Sequence, residues 1–238
     1  VSEGAPEVRS ALADYSWEEL SQISALIAAA ESDEAGIEIA AQYNLCDASG
    51  RLNLENTKSL ELSSGTSVPV TIAGFRQDAK SDGSGLAGIS FVARGSVGTQ
   101  PLNASGESVP WEETTLRSWL NQTLMGELPE ELASAIMPVD KVTNNPAGSG
   151  GGQSTTSESV WIPSCAELSG DVAAQTTNSD YTGYLMEGGQ YDVFADAGVT
   201  WNDGFDYLRL ESGEDWWLRT PEPSSGEYYM TVTPEGSP

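Results

Sequence analysis

Two short stretches concentrate indole, guanidinium and amide side chains. The first is Trp111-Glu112-Glu113-Thr114-Thr115-Leu116-Arg117-Ser118-Trp119-Leu120-Asn121, and the second is Asp215-Trp216-Trp217-Leu218-Arg219-Thr220-Pro221. Indole rings stack on the apolar faces of pyranose sugars, while amides, guanidinium groups and carboxylates bond the hydroxyls. Trp111, Arg117, Trp119, Asn121, Trp216, Trp217 and Arg219 are therefore candidate ligand-binding residues. The same residues have a structural reading, in which the four indoles pack a core and the two arginines sit in internal ion pairs. The chain has only ten cationic residues against 36 acidic ones, and an arginine flanked by tryptophan in such a chain points to structure first.

The carboxylates offer a second chemistry. Asp203, Asp206, Glu211, Glu214 and Asp215 are close enough in sequence to share a calcium ion with backbone carbonyls, although no spacing matches a known loop. Asp78 to Gly85 can be tested against the EF-hand pattern. Asp78, Asp82 and Gly83 fit it, Lys80 and Ile89 do not, and a solvated hairpin turn is the better reading. A pair of acids for glycoside hydrolysis would stand roughly 5–10 Å apart, but no local motif selects such a pair.

There is no histidine. That removes the Ser-His and Cys-His nucleophile arrangements and every histidine-containing metal site. Cys46 and Cys165 are far apart, with no C-x-x-C. They form either one disulfide closing a long loop or two independent thiols.

The net charge of −26 repels phosphate backbones and anionic lipid, so nucleic acid and membrane surfaces are poor partners. It favours solubility and could attract cations or basic proteins. No apolar run approaches the roughly 18–20 residues of a membrane span. The polar opening Val1-Ser2-Glu3-Gly4 shows no signal peptide in this chain.

The elements that must position these residues follow from periodicity. Ser16-Trp17-Glu18-Glu19 is a capping box, and Trp17, Leu20, Ser24 and Ile27 follow at helical spacing, predicting a helix over 17–30. Ser32 should cap a second helix reaching about Tyr43. Ser67–Phe75 reads as a strand, placed at a sheet edge by Pro69, and Leu86–Ala93 as another. Leu116, Trp119, Leu120 and Leu124 share a helical face. Pro129–Ile136 should be a short helix, and Val139–Thr143 a strand. Asn144–Ser157 is low in complexity and reads as a flexible insertion. Val160–Pro163 reads as a short strand, Ser164–Leu168 as a helical turn, Tyr191–Asp196 as a helix ended by Gly198, and Glu227–Thr233 as a strand.

The pattern W-E-x-x-x-L-R-x-W-L-N, followed about a hundred residues later by W-W-L-R-[ST]-P, resembles an uncharacterised bacterial domain family found in secreted and surface proteins of gut bacteria. Further matches lie at 12–18, 82–89, 141–145 and 160–164. The layout is similar to the Fibrobacter-type major paralogous domain and, more remotely, to C-type-lectin-like and formylglycine-generating-enzyme-like folds. The resemblance implies an α+β fold, with an N-terminal helical segment (1–50) followed by a C-type-lectin-like domain (51–238) of small, mostly antiparallel sheets and long loops, the two forming one unit. Two departures stand out. The sequence stops before the closing G-V-x-P-G-F segment that family members usually carry, so either that strand is absent or the sequence ends ahead of it, and the two cysteines fall where ordinary residues are expected, which favours a disulfide. Neither cysteine matches the formylglycine-type catalytic positions, so that activity is not carried over.

The resulting expectation is a non-catalytic extracellular or cell-surface domain, without a cofactor unless calcium, that takes part in adhesion or binds a host or bacterial surface glycan or protein. The alternatives are an interaction domain with no small ligand, and a carboxylate-dependent hydrolase. Exposed tryptophans beside a pocket, buried tryptophans, or paired acids in a cleft would separate the three.

Overall fold

A computed structural model describes residues 4–210, 212–223 and 227–237. Helix α1 (Trp17–Ala28) starts where the sequence places it. Ser16 Oγ accepts the Glu19 N–H at 3.0 Å, and Glu19 returns a bond to the Ser16 N–H at 2.8 Å. Its buried stripe is Trp17, Leu20, Ile23 and Ile27, so Ile23 rather than Ser24 carries the inner face. Helix α2 (Asp33–Gln42) is capped by Ser32. Arg76 fastens the two together. Its guanidinium donates to Asp33 at the start of α2 (2.9 Å) and to the Ile27 and Ala28 carbonyls at the end of α1 (3.1 and 2.7 Å), where a cation complements the negative C-terminal end of α1.

Strands β1 (Thr57–Glu61), β2 (Ser67–Phe75) and β3 (Ile89–Ala93) form an antiparallel sheet in the order β1-β2-β3. β2 is the central strand, so the edge placement suggested by Pro69 does not hold. The sheet accommodates this proline because β3 ends at Ala93. The Arg94 N–H donates to the Pro69 carbonyl at 2.7 Å, and the missing proline N–H faces the same side, just past the last paired residue. Alternation then turns the main-chain N–H and C=O of Phe91 and Ala93 away from β2. β3 is thus a free edge. At its start Gly88 lies against α1: a Cβ there would stand 1.9 Å from the Ser24 carbonyl oxygen.

The second tryptophan-bearing layer starts with a 3₁₀ turn at Trp111–Glu113. Helix α3 (Thr115–Trp119) runs through a wider π-type stretch at Leu120–Leu124 into α4 (Met125–Glu127), and α5 (Glu130–Ala133) follows Pro129. Leu116, Leu120 and Leu124 are buried as their spacing predicts.

Strands β4 (Val139–Asn144) and β5 (Gln153–Glu158) pair in full antiparallel register, from Val139 opposite Glu158 to Asn144 opposite Gln153. This corrects the reading of Asn144–Ser157 as a flexible insertion. Its second half is a strand whose threonines suit a pleated surface, and only the glycine-rich tip lies outside the ladder.

Ser164 caps α6 (Cys165–Ser169) through a capping box with Glu167. Two short helices follow, α7 (Val172–Gln175) and α8 (Asp192–Ala197), the latter closed by Gly198 at φ 81°. β6 (Trp216–Pro221) and β7 (Tyr229–Val232) form the third small sheet. The segment 160–163 is extended but unpaired. The architecture is α+β, and one hydrophobic core joins Leu12, Ile23 and Ala40 of the N-terminal part to Leu168, Phe194 and Leu218.

Candidate functional site

The first tryptophan motif closes on an acid that the sequence did not single out. Trp111 Nε1 and Arg117 Nε both donate to Glu158 Oε1 (3.0 and 2.6 Å), and Asn121 Nδ2 donates to Glu158 Oε2 at 3.0 Å. Asn121 Oδ1 in turn accepts the N–H groups of Ser159 and Val160 (3.2 and 3.3 Å). Glu158 is fully buried at the end of β5. Trp111, Arg117 and Asn121 thus pin the end of the β4–β5 hairpin to the start of α3, and Trp111 is itself 1% exposed. The i, i+4 spacing of Arg117 and Asn121 brings both to one carboxylate.

The second motif divides along β6. Arg219 is fully buried and grips Glu167 with both terminal nitrogens (2.6 and 2.9 Å), while its Nε donates to Thr143 Oγ1 at 3.1 Å and one terminal nitrogen reaches the Ile162 carbonyl at 2.9 Å. Lys141 reaches Glu167 from the other side at 3.0 Å, pairs with Asp78, bonds the Tyr191 hydroxyl at 2.7 Å, and lies 4.3 Å from the centre of the Trp161 ring. Burial alone would push the Glu167 carboxyl upward, but the two cations outweigh it and hold it at about 2. Burial raises the Tyr191 phenol well above its usual value, helped by Glu167 and Asp78.

A second buried glutamate, Glu187, adjoins this web without a cation on its carboxylate. It accepts the Asn144 N–H at 2.8 Å and the hydroxyls of Thr220 and Tyr184. Burial raises its pKa, against the pull of Arg219 and of these donors.

Five other indoles face a groove of about 750 Å³ that runs along the free edge of β3. Trp17, Trp119, Trp161, Trp216 and Trp217 line it, five of the seven tryptophans in the chain. Backbone carbonyls hold two of them by their indole N–H. Trp216 donates to Leu208 and Trp217 to Gln100, both at 3.0 Å. A Cβ at Gly98, whose φ is 148°, would stand 3.3 Å from the Trp119 ring, so the loop after β3 lies directly on that indole. Tyr191 and Phe194 close the groove on its inner side.

Residues 90–237 match the family described as a domain of unknown function, DUF6273. The chain belongs to the DUF6273 family. No curated protein and no solved structure matches it. The matched span of this DUF6273 domain begins inside β3 and takes in both tryptophan motifs, the Arg219 web except Asp78, and most of the groove wall. Helix α1 and strands β1 and β2, which complete the groove and the sheet, precede it.

The other sequence-predicted groups in this DUF6273 domain are dispersed. No three acids or thiols gather as metal ligands among the described residues. Asp203 caps the Gly204 N–H at 2.7 Å, Asp206 pairs with Arg209, Glu214 and Asp215 line the groove, and Glu211 lies outside the described residues. Asp78 is no solvated turn residue. It is buried, taken by Lys141, Ser90 and Tyr191.

Cys46 and Cys165 are both free, which corrects the disulfide reading. Cys165 packs on Met230 Sδ at 3.4 Å, whereas Cys46 lies 3.9 Å from the Ile37 carbonyl, its thiol pushed up to about 11 by burial. No helix among the described residues is long and apolar enough to cross a membrane.

Proposed function

We propose that this DUF6273 domain is a non-catalytic extracellular or cell-surface module that binds a surface glycan through the tryptophan groove. One observation carries the reading: five of seven tryptophans converge on one groove. Backbone carbonyls orient the Trp216 and Trp217 indoles through their N–H groups, and both half-buried rings line the groove wall. The main-chain groups of Phe91 and Ala93, which face away from β2, and the hydroxyl of Ser96 supply polar partners along one wall. The motifs' resemblance to surface domains of gut bacteria, and the more remote likeness to C-type-lectin-like folds, point the same way.

A second reading, an interaction domain with no small ligand, draws support from Trp111, Arg117, Asn121 and Arg219, whose polar atoms are spent on internal bonds. The carboxylate-dependent hydrolase has less support. Glu158 and Glu167 are bonded to arginine inside the protein, which leaves neither in a form suited to general acid work.

A glycan array and a mucin-binding assay test the glycan reading. Binding should quench or shift tryptophan fluorescence. It should survive Trp217→Phe, which keeps a stacking ring, and be lost in Trp217→Ala, with near-UV circular dichroism confirming that both variants fold. Clean negatives across array and mucin would sink the reading.

A further inference from the structure

The chain spends its cations sparingly, and the exceptions are informative. Of ten lysines and arginines, eight have partners within the protein. Arg9, Arg76, Arg117, Lys141, Arg209 and Arg219 are in ion pairs. Arg51 bonds the Asp196 carbonyl, and Lys58 bonds the Tyr15 carbonyl. Among the described residues, Lys80 and Arg94 have neither a side-chain hydrogen bond nor an ion pair, and both line the tryptophan groove. They are the only cations among the described residues of its lining, set against Glu214 and Asp215.

Their positions follow from the sheet. Arg94 directly follows β3, while Lys80 lies beyond the other end of that strand, beside the bridge between Ala79 and Leu86. Arg94 is partly buried, and its guanidinium is disfavoured by desolvation, with Glu55 acting on it only electrostatically. Lys80 acts on Asp82 only electrostatically, as a minor cause of its lowered pKa beside the bonds from Ser84. In a chain with 36 acids, a desolvated guanidinium with five donors and no acceptor lacks its natural partner.

We propose that the groove takes an acidic oligosaccharide, with a sugar carboxylate held by Arg94 at one end of β3 and Lys80 meeting a second acidic group at the other. This rests on the glycan reading above and names the ligand class. A guanidinium fork matches a carboxylate with two parallel hydrogen bonds, while the indoles take the sugar faces. Glu214 and Asp215, together with the strongly negative chain, disfavour long polyanions, so the fitting ligand carries few carboxylates among neutral sugar units.

The test uses two matched pairs of probes in calorimetric titrations: tetragalacturonate against its methyl ester, and sialyllactose against lactose. At least one acid should bind about ten-fold or more tighter than its neutral counterpart. Arg94→Gln should remove most of that difference, and Lys80→Gln a smaller part of it. Arg94→Gln should shift Tm by no more than about 2 °C, since no internal bond is lost; a large fall in Tm would make Arg94 structural and overturn the proposal. Equal binding within both pairs, or a preference untouched by Arg94→Gln, overturns it while leaving the glycan reading intact. Failure of all four sugars alongside Arg94-dependent binding of a glutamate-rich peptide overturns both.

Discussion

The Arg219 web and the tryptophan groove both draw on strand β6 and treat charge in opposite ways. In the web every cation is consumed: Arg219 and Lys141 share Glu167, and Asp78 and Tyr191 complete the set. In the groove Lys80 and Arg94 have no side-chain partner among the described residues. A buried ion pair is costly to break and of modest net worth when whole. The web therefore fixes one arrangement of α6, β4 and β6, while the groove carries two partly buried cations held by no carboxylate among the described residues. On the proposed reading, stability and binding fall to different residues of one motif, Arg219 to the first and Trp216–Trp217 to the second.

That division is most severely tested by removing a partner from the web. Glu167→Gln leaves Arg219 and Lys141 buried with too little opposing charge. It should cost about 3–5 kcal/mol in urea unfolding followed by circular dichroism. A loss smaller than that of Trp217→Ala would erase the distinction between the two sides.

The acid limb of the stability curve is the next test. The native Glu167 carboxyl sits at about 2 against an ordinary value of 4.5. A depressed carboxylate stabilises above its unfolded pKa and loses that contribution as pH falls through the native one. About 3 kcal/mol should therefore disappear between roughly pH 4.5 and pH 2, and Glu167→Gln should flatten that part of the curve.

Glu187 gives a smaller effect of opposite sign. Its pKa is raised, so the native state favours its protonated form, and stability is lost as pH rises through the raised value. Glu187→Gln keeps the shape and removes the charge. It should change stability by no more than about 1 kcal/mol at neutral pH, and the variant should gain on the wild type as pH increases. A loss as large as that of Glu167→Gln would mean that Arg219 depends on both glutamates equally.

The local signals were legible in the sequence, and the distant partnerships were not. Ser16 with Glu19, Ser32, and the leucines at 116, 120 and 124 announced their helices, because caps and periodicity act within a few residues. The ion-pair reading of Arg117 and Arg219 was available from composition. Their partners, Glu158 and Glu167, were not, since they lie 41 and 52 residues away.

Glu167 did leave a trace, the Ser164-x-x-Glu167 capping pattern. Glu158 left none, lying just past a serine- and threonine-rich run that reads as insertion until β4 is placed beside it. Pro69 misled for a related reason. A proline excludes one hydrogen bond rather than a whole strand position, and where the neighbouring strand stops is not written locally. The groove was the least legible feature, because its tryptophans come from α1, α3, β6 and the segment after β5, and only the fold brings them together.

The uneven distribution of amines has a practical side. The chain has three lysines. Lys141 is buried, and Lys58 is engaged by the Tyr15 carbonyl and lies over the Trp17 ring. Lys80 is the side-chain amine left for acylating reagents. A dye coupled through it would sit in the groove and report occupancy directly. The same chemistry used to fix the protein to a sensor surface would block that groove, so capture through a chain terminus is the sounder mount.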